Sequence, residues 1–332
     1  MGITPPEKTT ASSEDRVSLD RTALRGLNLP DLEPVLELRK VQKALYTYFA
    51  QIMRETGSDG FLHPFFNLHR VVTYRSSSDS LNFQNIPIRD PVMGELIRTA
   101  FIPRSVDHVI VELDFGGLEV RIACCYHQDP TMVRYLSTGY DMHREKAADC
   151  FFTSTDQISK MARFHVKNGF VFPEFYGDWW SKCAAALWHA IAESNLTLND
   201  GTPMYRHLAD MGITHLSSKQ FRGKIPVDPT AYETHIYEME RSLWDDTFPV
   251  YRDWKPLWWK NYLKNGAFNL LTGFKIAGAF SKNDVINYPV QGAAFHCLLW
   301  SFIKMVDWTE ENRMKTKITG QIHDSIVADV HV

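Results

Sequence analysis

The sequence has no long apolar run, no large excess of charge and no paired-cysteine motif. No stretch of the 332 residues approaches the roughly 20 apolar residues of a membrane span, and the N-terminal 16 residues are too polar for a signal peptide. The 36 Lys and Arg residues against 39 Asp and Glu residues give a formal charge of −3, so any nucleic-acid surface must be local. The five cysteines have no CxxC spacing, which favours reduced thiols over a disulfide framework or a sulfur-ligated metal. These absences predict a cytoplasmic globular protein without a membrane partner.

The stretch from Val109 to Arg121 is the most informative part of the chain. Its first five residues are mostly β-branched and lead into Asp114, which predicts a buried strand with a carboxylate at its C-terminal end. A Gly-Gly step follows, and then a helical pattern carries Glu119 and Arg121. Two carboxylates and an arginine favour a metal and anion site. An ordinary strand–turn–helix with Asp114 as a helix cap is the alternative.

Apolar spacing predicts the other elements. We expect helices at residues 31–55, near 230–244 and 250–264, and from Pro289 onward. We expect hairpins at residues 61–73, with a turn centred on Asn67, and at residues 268–277.

Three cations follow one another at helical spacing. The segment 154–157 has capping-box spacing and predicts the start of a helix, in which Lys160, Arg163 and Lys167 share one face. A solvated surface is the usual meaning of such a stripe, but the residues between the cations are apolar. An Arg–Lys pair on a fixed helix is suited to binding a triphosphate.

A second aspartate lies between apolar strands. Residues 318–330 predict a hairpin with His323 and Asp324 at its tight turn, where a simple turn role is the alternative. Short polar side chains around Arg75, in residues 73–79 and 82–89, suit either a polar loop or contacts to a sugar-phosphate backbone.

Together, these segments resemble the polymerase region of family A DNA polymerases, the bacterial DNA polymerase I type that many bacteriophages also encode. Residues 114–121 are similar to motif A, residues 163–177 to motif B and residues 321–324 to motif C. Five supporting segments match in the same order, namely 60–67, 73–79, 82–87, 141–144 and 287–292. The resemblance covers roughly residues 32–332.

The resemblance implies an α+β right-hand polymerase with an antiparallel-sheet palm, helical fingers and a truncated thumb. The expected division is a disordered lead (1–25), a thumb remnant helix (26–58), palm with motif A (59–138), fingers with motif B (139–284) and palm with motif C (285–332). We expect an insertion in the fingers near residues 195–229. We also expect no proofreading domain upstream and a palm truncated at its C-terminus.

The resemblance also implies roles for particular residues. Asp114, Asp324 and the carbonyl of Phe115 are expected to hold two Mg²⁺ ions, with Mn²⁺ as a substitute. Lys167 is expected to protonate the leaving pyrophosphate. The expected nucleotide-binding residues are Arg163, Lys167, His143, Glu119, Phe172 and Tyr176, with Glu119 excluding a ribose 2′-hydroxyl. The expected DNA-binding residues are Arg75, Gln84, Asn85, Arg121, Asn287, Gln291 and His323.

The chain departs from the family pattern at three points. Gly116 and Gly117 replace Ser-Gln in motif A, and Ser325 replaces a glutamate after motif C. Motif B is one residue longer than usual, so its two aromatic positions are either Val171 and Phe175 or Phe172 and Tyr176. We prefer the second pair, because a stacking platform needs rings and a one-residue helical bulge at residues 168–169 would absorb the extra residue.

The predicted function is template-directed addition of deoxynucleotides to a primer 3′-hydroxyl in phage DNA replication, within the cytoplasm of an infected host. Its expected partners are primer–template DNA, deoxynucleoside triphosphates and replication accessory proteins, and we expect a monomer. One alternative is a catalytically impaired fragment that only binds primer–template DNA, consistent with Ser325. Another is a single-subunit RNA polymerase, against which Glu119 argues.

Overall fold

The computed structural model describes Leu24 and residues 32–87, 92–217 and 228–332. The predicted disordered lead therefore lies outside the described residues apart from Leu24, as do residues 218–227 of the predicted insertion. The chain divides into two compact units, one formed by Met1–Phe115 with Leu298–Val332 and the other by Gly116–Cys297. Across the described ranges, no helix is both long and apolar enough to cross a membrane.

Helices dominate the chain. The α-helices are α1 (Glu33–Lys43), α2 (Ala50–Glu55), α3 (Met93–Arg98), α4 (Leu118–His127), α5 (Pro130–Thr138), α6 (Met142–Cys150), α7 (Lys160–Val166), α8 (Phe172–Tyr176), α9 (Trp180–Glu193), α10 (Met204–Asp210), α11 (Ala231–Ser242), α12 (Pro249–Asn265) and α13 (Lys282–Glu311). Wider π-helical turns are formed by Ala44–Phe49, Lys167–Val171 and Leu243–Thr247. The strands are β1 (Phe65–Asn67), β2 (Ser77–Asp79), β3 (His108–Asp114), β4 (Ala267–Asn269), β5 (Lys275–Ala277), β6 (Lys317–Ile322) and β7 (Ser325–His331).

The first unit contains a three-stranded antiparallel sheet in the order β3-β7-β6. The predicted hairpin with His323 and Asp324 at its turn is confirmed. The prediction that β3 is a buried strand is wrong, because β3 has only one neighbouring strand among the described residues. Val109, Ile110 and Leu113 are 44%, 43% and 44% exposed.

A second hairpin of the first unit differs from the prediction. Strand β1 pairs with β2, not with a strand inside residues 61–73. Asn67 is a strand residue whose buried side chain donates to a carboxylate oxygen of Asp79, at 2.9 Å. An asparagine that reads as a turn residue in the sequence is therefore used here as a cross-strand hydrogen-bond donor.

The second unit is built around one large apolar core, in which Phe151, Trp180 and Tyr232 are fully buried. The predicted helix near 230–244 is confirmed, and Thr230 and Glu233 form a complete capping box at its start. The predicted helix near 250–264 and the hairpin at 268–277 are also confirmed.

Two predicted helix starts are wrong. Helix α7 begins at Lys160 with Ser159 as its cap, because Ser159 and not Ser154 accepts a hydrogen bond from the helix, donated by the amide of Ala162. Helix α13 begins at Lys282 rather than Pro289, because Ser281 and Asp284 exchange hydrogen bonds ahead of it. Gln291 therefore lies within the helix and not at its exposed N-terminal end.

Candidate functional site

Two aspartates lie at one end of the three-stranded sheet. Asp114 is the last residue of β3 and is the register partner of Ser325, while Asp324 lies in the β6–β7 turn. The amide of Phe115 donates to the carbonyl of Asp324 at 3.3 Å, which fixes the backbone of one aspartate segment to the other. Both aspartate side chains are exposed.

A third carboxylate lies on the same face of β3. Glu112 precedes Asp114 by two residues, so both side chains point to one side of the strand. The Ser325 hydroxyl donates to Oε1 of Glu112 at 2.7 Å, and Arg98 contacts Oε2 at 3.2 Å. Ser325 therefore contributes no carboxylate itself but orients one.

The donor set at this end of the sheet fits a hard divalent cation. Carboxylate oxygens and a backbone carbonyl are the ligand types that Mg²⁺ and Mn²⁺ prefer. Asp114 and Asp324 would supply the first type and the carbonyl of Phe115 the second, since the three residues belong to backbone-paired segments. Two exposed carboxylates on such segments attract a cation electrostatically.

A buried glutamine supports the turn that carries Asp324. The side-chain oxygen of Gln321 accepts hydrogen bonds from Ser76 at 2.6 Å and from Gln84 at 2.8 Å. The Gln321 amide donates to the backbone carbonyl of His323. Because Gln321 is only 7% exposed, this network fixes the position of the turn.

In the second unit, an arginine is oriented by an aspartate. Arg163 Nε contacts both carboxylate oxygens of Asp141, at 3.0 and 2.8 Å, and Asp141 also caps α6 by accepting from the amide of Arg144. Partial burial opposes ionisation of Asp141, but the hydrogen bonds from Arg163 and Arg144 outweigh it and lower the pKa of that carboxyl. The guanidinium is therefore held in one direction by an ionised partner.

His143 lies beside the cations of motif B. Burial, followed by the charges of Arg163 and Lys167, lowers the pKa of His143 to about 4. The imidazole is therefore neutral at pH 7. Its Nδ1 atom is buried and has no hydrogen-bond partner among the residues that the structure describes, although the ring packs edge-on against Phe172. A buried polar atom of this kind is normally satisfied by a ligand or a water.

The predicted helical bulge is present in motif B. Residues Lys167–Val171 form a π-helical turn, which adds one residue between α7 and α8. Val171 and Phe175 face the core and are at most 4% exposed, whereas Phe172 and Tyr176 are half-buried. The Lys167 ammonium lies 5.0 Å from the centre of the Phe172 ring. The bulge thus brings Phe172 and Tyr176, not Val171 and Phe175, to the lysine side of the helix.

Tyr176 links motif A to motif B. Its hydroxyl donates to Oε2 of Glu119, and its backbone carbonyl lies 3.5 Å from the side-chain nitrogen of Asn287. The Tyr176 and Phe172 rings are 6.1 Å apart between centres. Glu119, Phe172, Tyr176 and Asn287 therefore form a connected group.

Beneath these aromatics, α8 buries a carboxyl group. Glu174 is 1% exposed and accepts hydrogen bonds from Trp244 Nε1 at 3.0 Å and from the Cys183 thiol at 3.4 Å. Burial and then the charge of Glu240 raise the pKa of Glu174 to about 8. Burial also lowers the pKa of Lys255, whose ammonium lies over the Trp244 ring, to about 7.

The predicted site residues divide between the two units. The first unit holds Asp114, Phe115, Asp324, His323, Arg75, Gln84 and Asn85. The second unit holds Arg163, Lys167, His143, Glu119, Phe172, Tyr176, Arg121, Asn287 and Gln291. Arg121 is exposed and donates to the carbonyl of Gly116 at 3.0 Å, whereas Gln291 is half-buried on α13.

The sequence analysis assigned no role to Glu112, or to Asp141, Ser76 and Gln321, which orient other residues of the site. Asp141 and Gln321 were recognised only as members of segments that resemble the family. The alternation of side chains along β3 could have identified Glu112, because Glu112 and Asp114 are two residues apart in a strand. No pattern in the sequence indicates that Ser76 and Gln321, separated by 245 positions, form a hydrogen bond.

The comparisons with known proteins identify DNA polymerases as relatives. The family model "DNA polymerase family A" matches residues 1–200. The DNA polymerase of Bacillus phage SP01 is 25% identical over 321 residues, which cover 93% of this chain and 31% of that protein. DNA polymerase I of Bacillus subtilis is 25% identical over 298 residues, covering 88% of this chain and 30% of that protein. The chain thus spans about a third of the length of these relatives.

A solved structure shares the fold. The POL domain of Pol1 from M. smegmatis, in complex with DNA primer-template and dNTP, superposes with a TM-score of 0.72 at 21% identity. The match covers 99% of this chain and 52% of that one. It confirms the α+β combination of helices and antiparallel sheet. Since the family model matches more than half of the residues, the chain belongs to family A of the DNA polymerases.

Proposed function

We propose that this chain is a template-directed DNA polymerase that adds deoxynucleotides to a primer 3′-hydroxyl. The observation that carries the proposal is the backbone-paired placement of Asp114 and Asp324 at one end of the sheet. Phosphoryl transfer by this family needs such a carboxylate pair, and phage DNA replication is the setting that the SP01 relative suggests.

In this proposal, Asp114, Asp324 and the Phe115 carbonyl hold Mg²⁺, with Mn²⁺ as a substitute. Bound there, the divalent ions supply charge neutralisation for the 3′-oxygen and the leaving pyrophosphate. Glu112 adds negative charge beside the pair, held by Ser325. The missing motif C glutamate is therefore compensated by a carboxylate on the neighbouring strand.

The second unit is proposed to bind the incoming nucleotide. Arg163, oriented by Asp141, grips phosphate oxygens in a bidentate manner, and Lys167 holds the triphosphate and donates a proton to the leaving pyrophosphate. His143 is proposed to bind the same triphosphate, which its buried Nδ1 atom, unpaired among the described residues, supports.

Selection of the nucleotide is proposed to depend on Glu119. Its carboxylate is held by the Tyr176 hydroxyl, so its bulk stays where a ribose 2′-hydroxyl would lie. Phe172 and Tyr176 offer rings for stacking.

The DNA is proposed to contact both units. Arg75, Gln84, Asn85 and His323 of the first unit and Arg121, Asn287 and Gln291 of the second are assigned to it. The palm, fingers and thumb are proposed to have the boundaries that the family resemblance implies. The enzyme is proposed to act as a monomer together with replication accessory proteins.

Primer extension with Mg²⁺ on a DNA template tests the proposal. Wild-type protein should extend the primer with dNTPs but not rNTPs, and Asp114→Asn or Asp324→Asn should each reduce extension by about a hundredfold or more. Asp307→Asn, an exposed aspartate of the first unit, is the matched control and should leave extension unchanged.

Three results would contradict the proposal. Extension with rNTPs alone would indicate an RNA polymerase. A folded wild-type chain that binds primer–template without extending it would be a binding module. Equal primer extension by wild type, Asp114→Asn and Asp324→Asn would show that these two aspartates are not needed for the reaction.

A further inference from the structure

At the opposite end of the same sheet, two histidines and an aspartate converge. His108 opens β3 and His331 closes β7, and the two are direct register partners. Their rings are 5.1 Å apart between centres at 84°. One ligand atom each from Asp107, His108 and His331 lies within 4.8 Å of the other two.

The cluster is separate from the proposed catalytic end. His108 and Asp114 are six residues apart on β3, which is about 20 Å at roughly 3.3 Å per residue. None of the polymerase residues assigned above belongs to it.

A buried carboxylate orients one of the histidines. Oδ1 of Asp329 lies 3.2 Å from Nδ1 of His108, and each side chain is only 5% exposed. Arg104 holds the other oxygen of Asp329 at 2.7 Å. Nη2 of Arg104 lies 3.5 Å from the same Nδ1 atom. With its proton on Nδ1, facing Asp329, the His108 ring would offer Nε2 as the lone-pair nitrogen, as histidines around a metal ion do.

The other two groups are more accessible. Oδ2 of Asp107 lies 3.2 Å from Nε2 of His331, and these side chains are 51% and 32% exposed. The Lys315 ammonium lies 3.3 Å from the same imidazole nitrogen. Because Lys315 is exposed and flexible, it can leave when a cation arrives.

We propose that Asp107, His108 and His331 form a binding site for a borderline divalent cation of the Zn²⁺ class, which clamps the start of β3 to the end of β7. Two imidazoles and one carboxylate suit Zn²⁺ rather than Mg²⁺, and three protein ligands leave a position for water. The charges of Asp107 and Asp329 offset those of Arg104 and Lys315, so the site is not repulsive overall.

Zinc titration of chelator-stripped protein tests this site. Millimolar Mg²⁺ is kept present, so that the carboxylates at the other end of the sheet are occupied. We expect one Zn²⁺ per chain and a higher melting temperature with Zn²⁺. His331→Gln should weaken binding at least tenfold, and Lys315→Ala should strengthen it several-fold by removing the competing cation.

His63→Gln is the matched control, because His63 forms a similar exposed pair with Asp59 at 2.9 Å outside the cluster. It should leave zinc affinity unchanged. Asp107→Asn serves as the second test variant if His331→Gln does not fold. Absence of stoichiometric Zn²⁺, or equal affinity in His331→Gln, Asp107→Asn and wild type, would overturn the proposal. Cobalt substitution gives an independent readout, since the visible spectrum of bound Co²⁺ should change when either ligand is removed.

Discussion

Several side chains of the candidate site are held in place by a second side chain. Tyr176 holds Glu119, Asp141 holds Arg163 and Ser325 holds Glu112. Each pair fixes the direction of a charged group before any substrate arrives, which lowers the ordering cost of binding. In each pair, a conservative substitution of the residue that makes the supporting hydrogen bond therefore tests the role of the charged group without removing that group.

Tyr176→Phe removes only the hydroxyl that holds Glu119. We expect incorporation of dNTPs to change little, while discrimination against rNTPs falls about tenfold, because one hydrogen bond to a charged group is lost. Single-nucleotide incorporation with both substrates measures the ratio, with the exposed Tyr205→Phe as control. An unchanged ratio would show that the hydroxyl does not position Glu119.

Glu112→Gln removes one negative charge beside Asp114 while preserving the shape of the side chain. We expect the Mg²⁺ concentration for half-maximal extension to rise about two- to fivefold, because the attraction for a cation is weaker. A Mg²⁺ titration of primer extension measures this, and Glu95→Gln on α3 is the exposed control. A curve that superposes on wild type would exclude Glu112 from the metal environment.

At the scale of helices and strands, one buried carboxylate joins two helices. Asp129 is 1% exposed and caps two helices at once. One oxygen accepts from Thr131 at the start of α5, and the other accepts from Val250 and Tyr251 at the start of α12. A single carboxylate thus joins the start of α5 to amides that are 121 and 122 residues further along the chain.

Asp129→Ala should reduce the free energy of unfolding by about 2–4 kcal/mol, because several helix-terminal amides lose their acceptor. Urea denaturation measures the loss. Thr230→Ala, which removes a cap from α11 alone, should cost about 1 kcal/mol and is the comparison. Equal losses would show that Asp129 acts on one helix only.

Glu174 predicts a pH dependence of stability. Its pKa is about 8 in the folded protein against 4.5 when exposed, so the folded state binds the extra proton between these values. Stability should therefore fall as pH rises from about 4.5 toward 8, with at most about 1.4 kcal/mol per pH unit from this group. Lys255 acts in the opposite direction above pH 7, because its pKa is lowered to about 7.

Urea denaturation at pH 5, 6 and 7 isolates the effect of Glu174 from that of Lys255. In Glu174→Gln the decline attributable to this carboxyl should be absent, whereas Glu145→Gln on α6 should retain it. His143, whose pKa is lowered to about 4, adds a rise over part of this range in every variant, so the comparison is between variants. A pH dependence of stability in Glu174→Gln that superposes on that of wild type would contradict the assignment.

The sequence predicted elements well where the signal is local. Thr230 and Glu233 form the capping box that begins α11, and Gly266 ends α12 with φ +64°. The His323–Asp324 turn follows from apolar strands on either side. These features depend on residues within a few positions of each other.

The sequence predictions were wrong where contacts between residues distant in the chain determine the local structure. Asn67 was expected in a turn but pairs with Asp79, and β3 was expected to be buried but lies at an edge. The starts of α7 and α13 were misplaced because two candidate caps compete and only the folded chain selects one. The family resemblance indicated the candidate site residues. The residues that orient them could be identified only from contacts between distant parts of the chain.

For the whole molecule, the net charge of −3 does not favour DNA binding, so the cations must act locally. The carboxylates proposed to bind metal belong to one compact unit, and the cations proposed to bind the nucleotide belong to the other. An acidic protein that binds DNA through a few cations should still release counterions on binding.

Affinity for primer–template DNA should therefore fall about tenfold or more between 50 and 200 mM salt, consistent with several phosphate contacts. Fluorescence anisotropy across a salt series measures the slope. Arg75→Gln should make the slope shallower, whereas Arg206→Gln on the exposed face of α10 should not. A salt-independent affinity would exclude backbone contacts as the main source of binding.

The π-helical turn at Lys167–Val171 has a consequence for how such enzymes diverge. An extra residue in a regular helix would rotate every following side chain by about 100°. Here the wider turn absorbs the extra residue within Lys167–Val171, so Phe172 after the turn still lies against Lys167 at its start. We therefore expect relatives that are one residue shorter to align across this turn with a single gap.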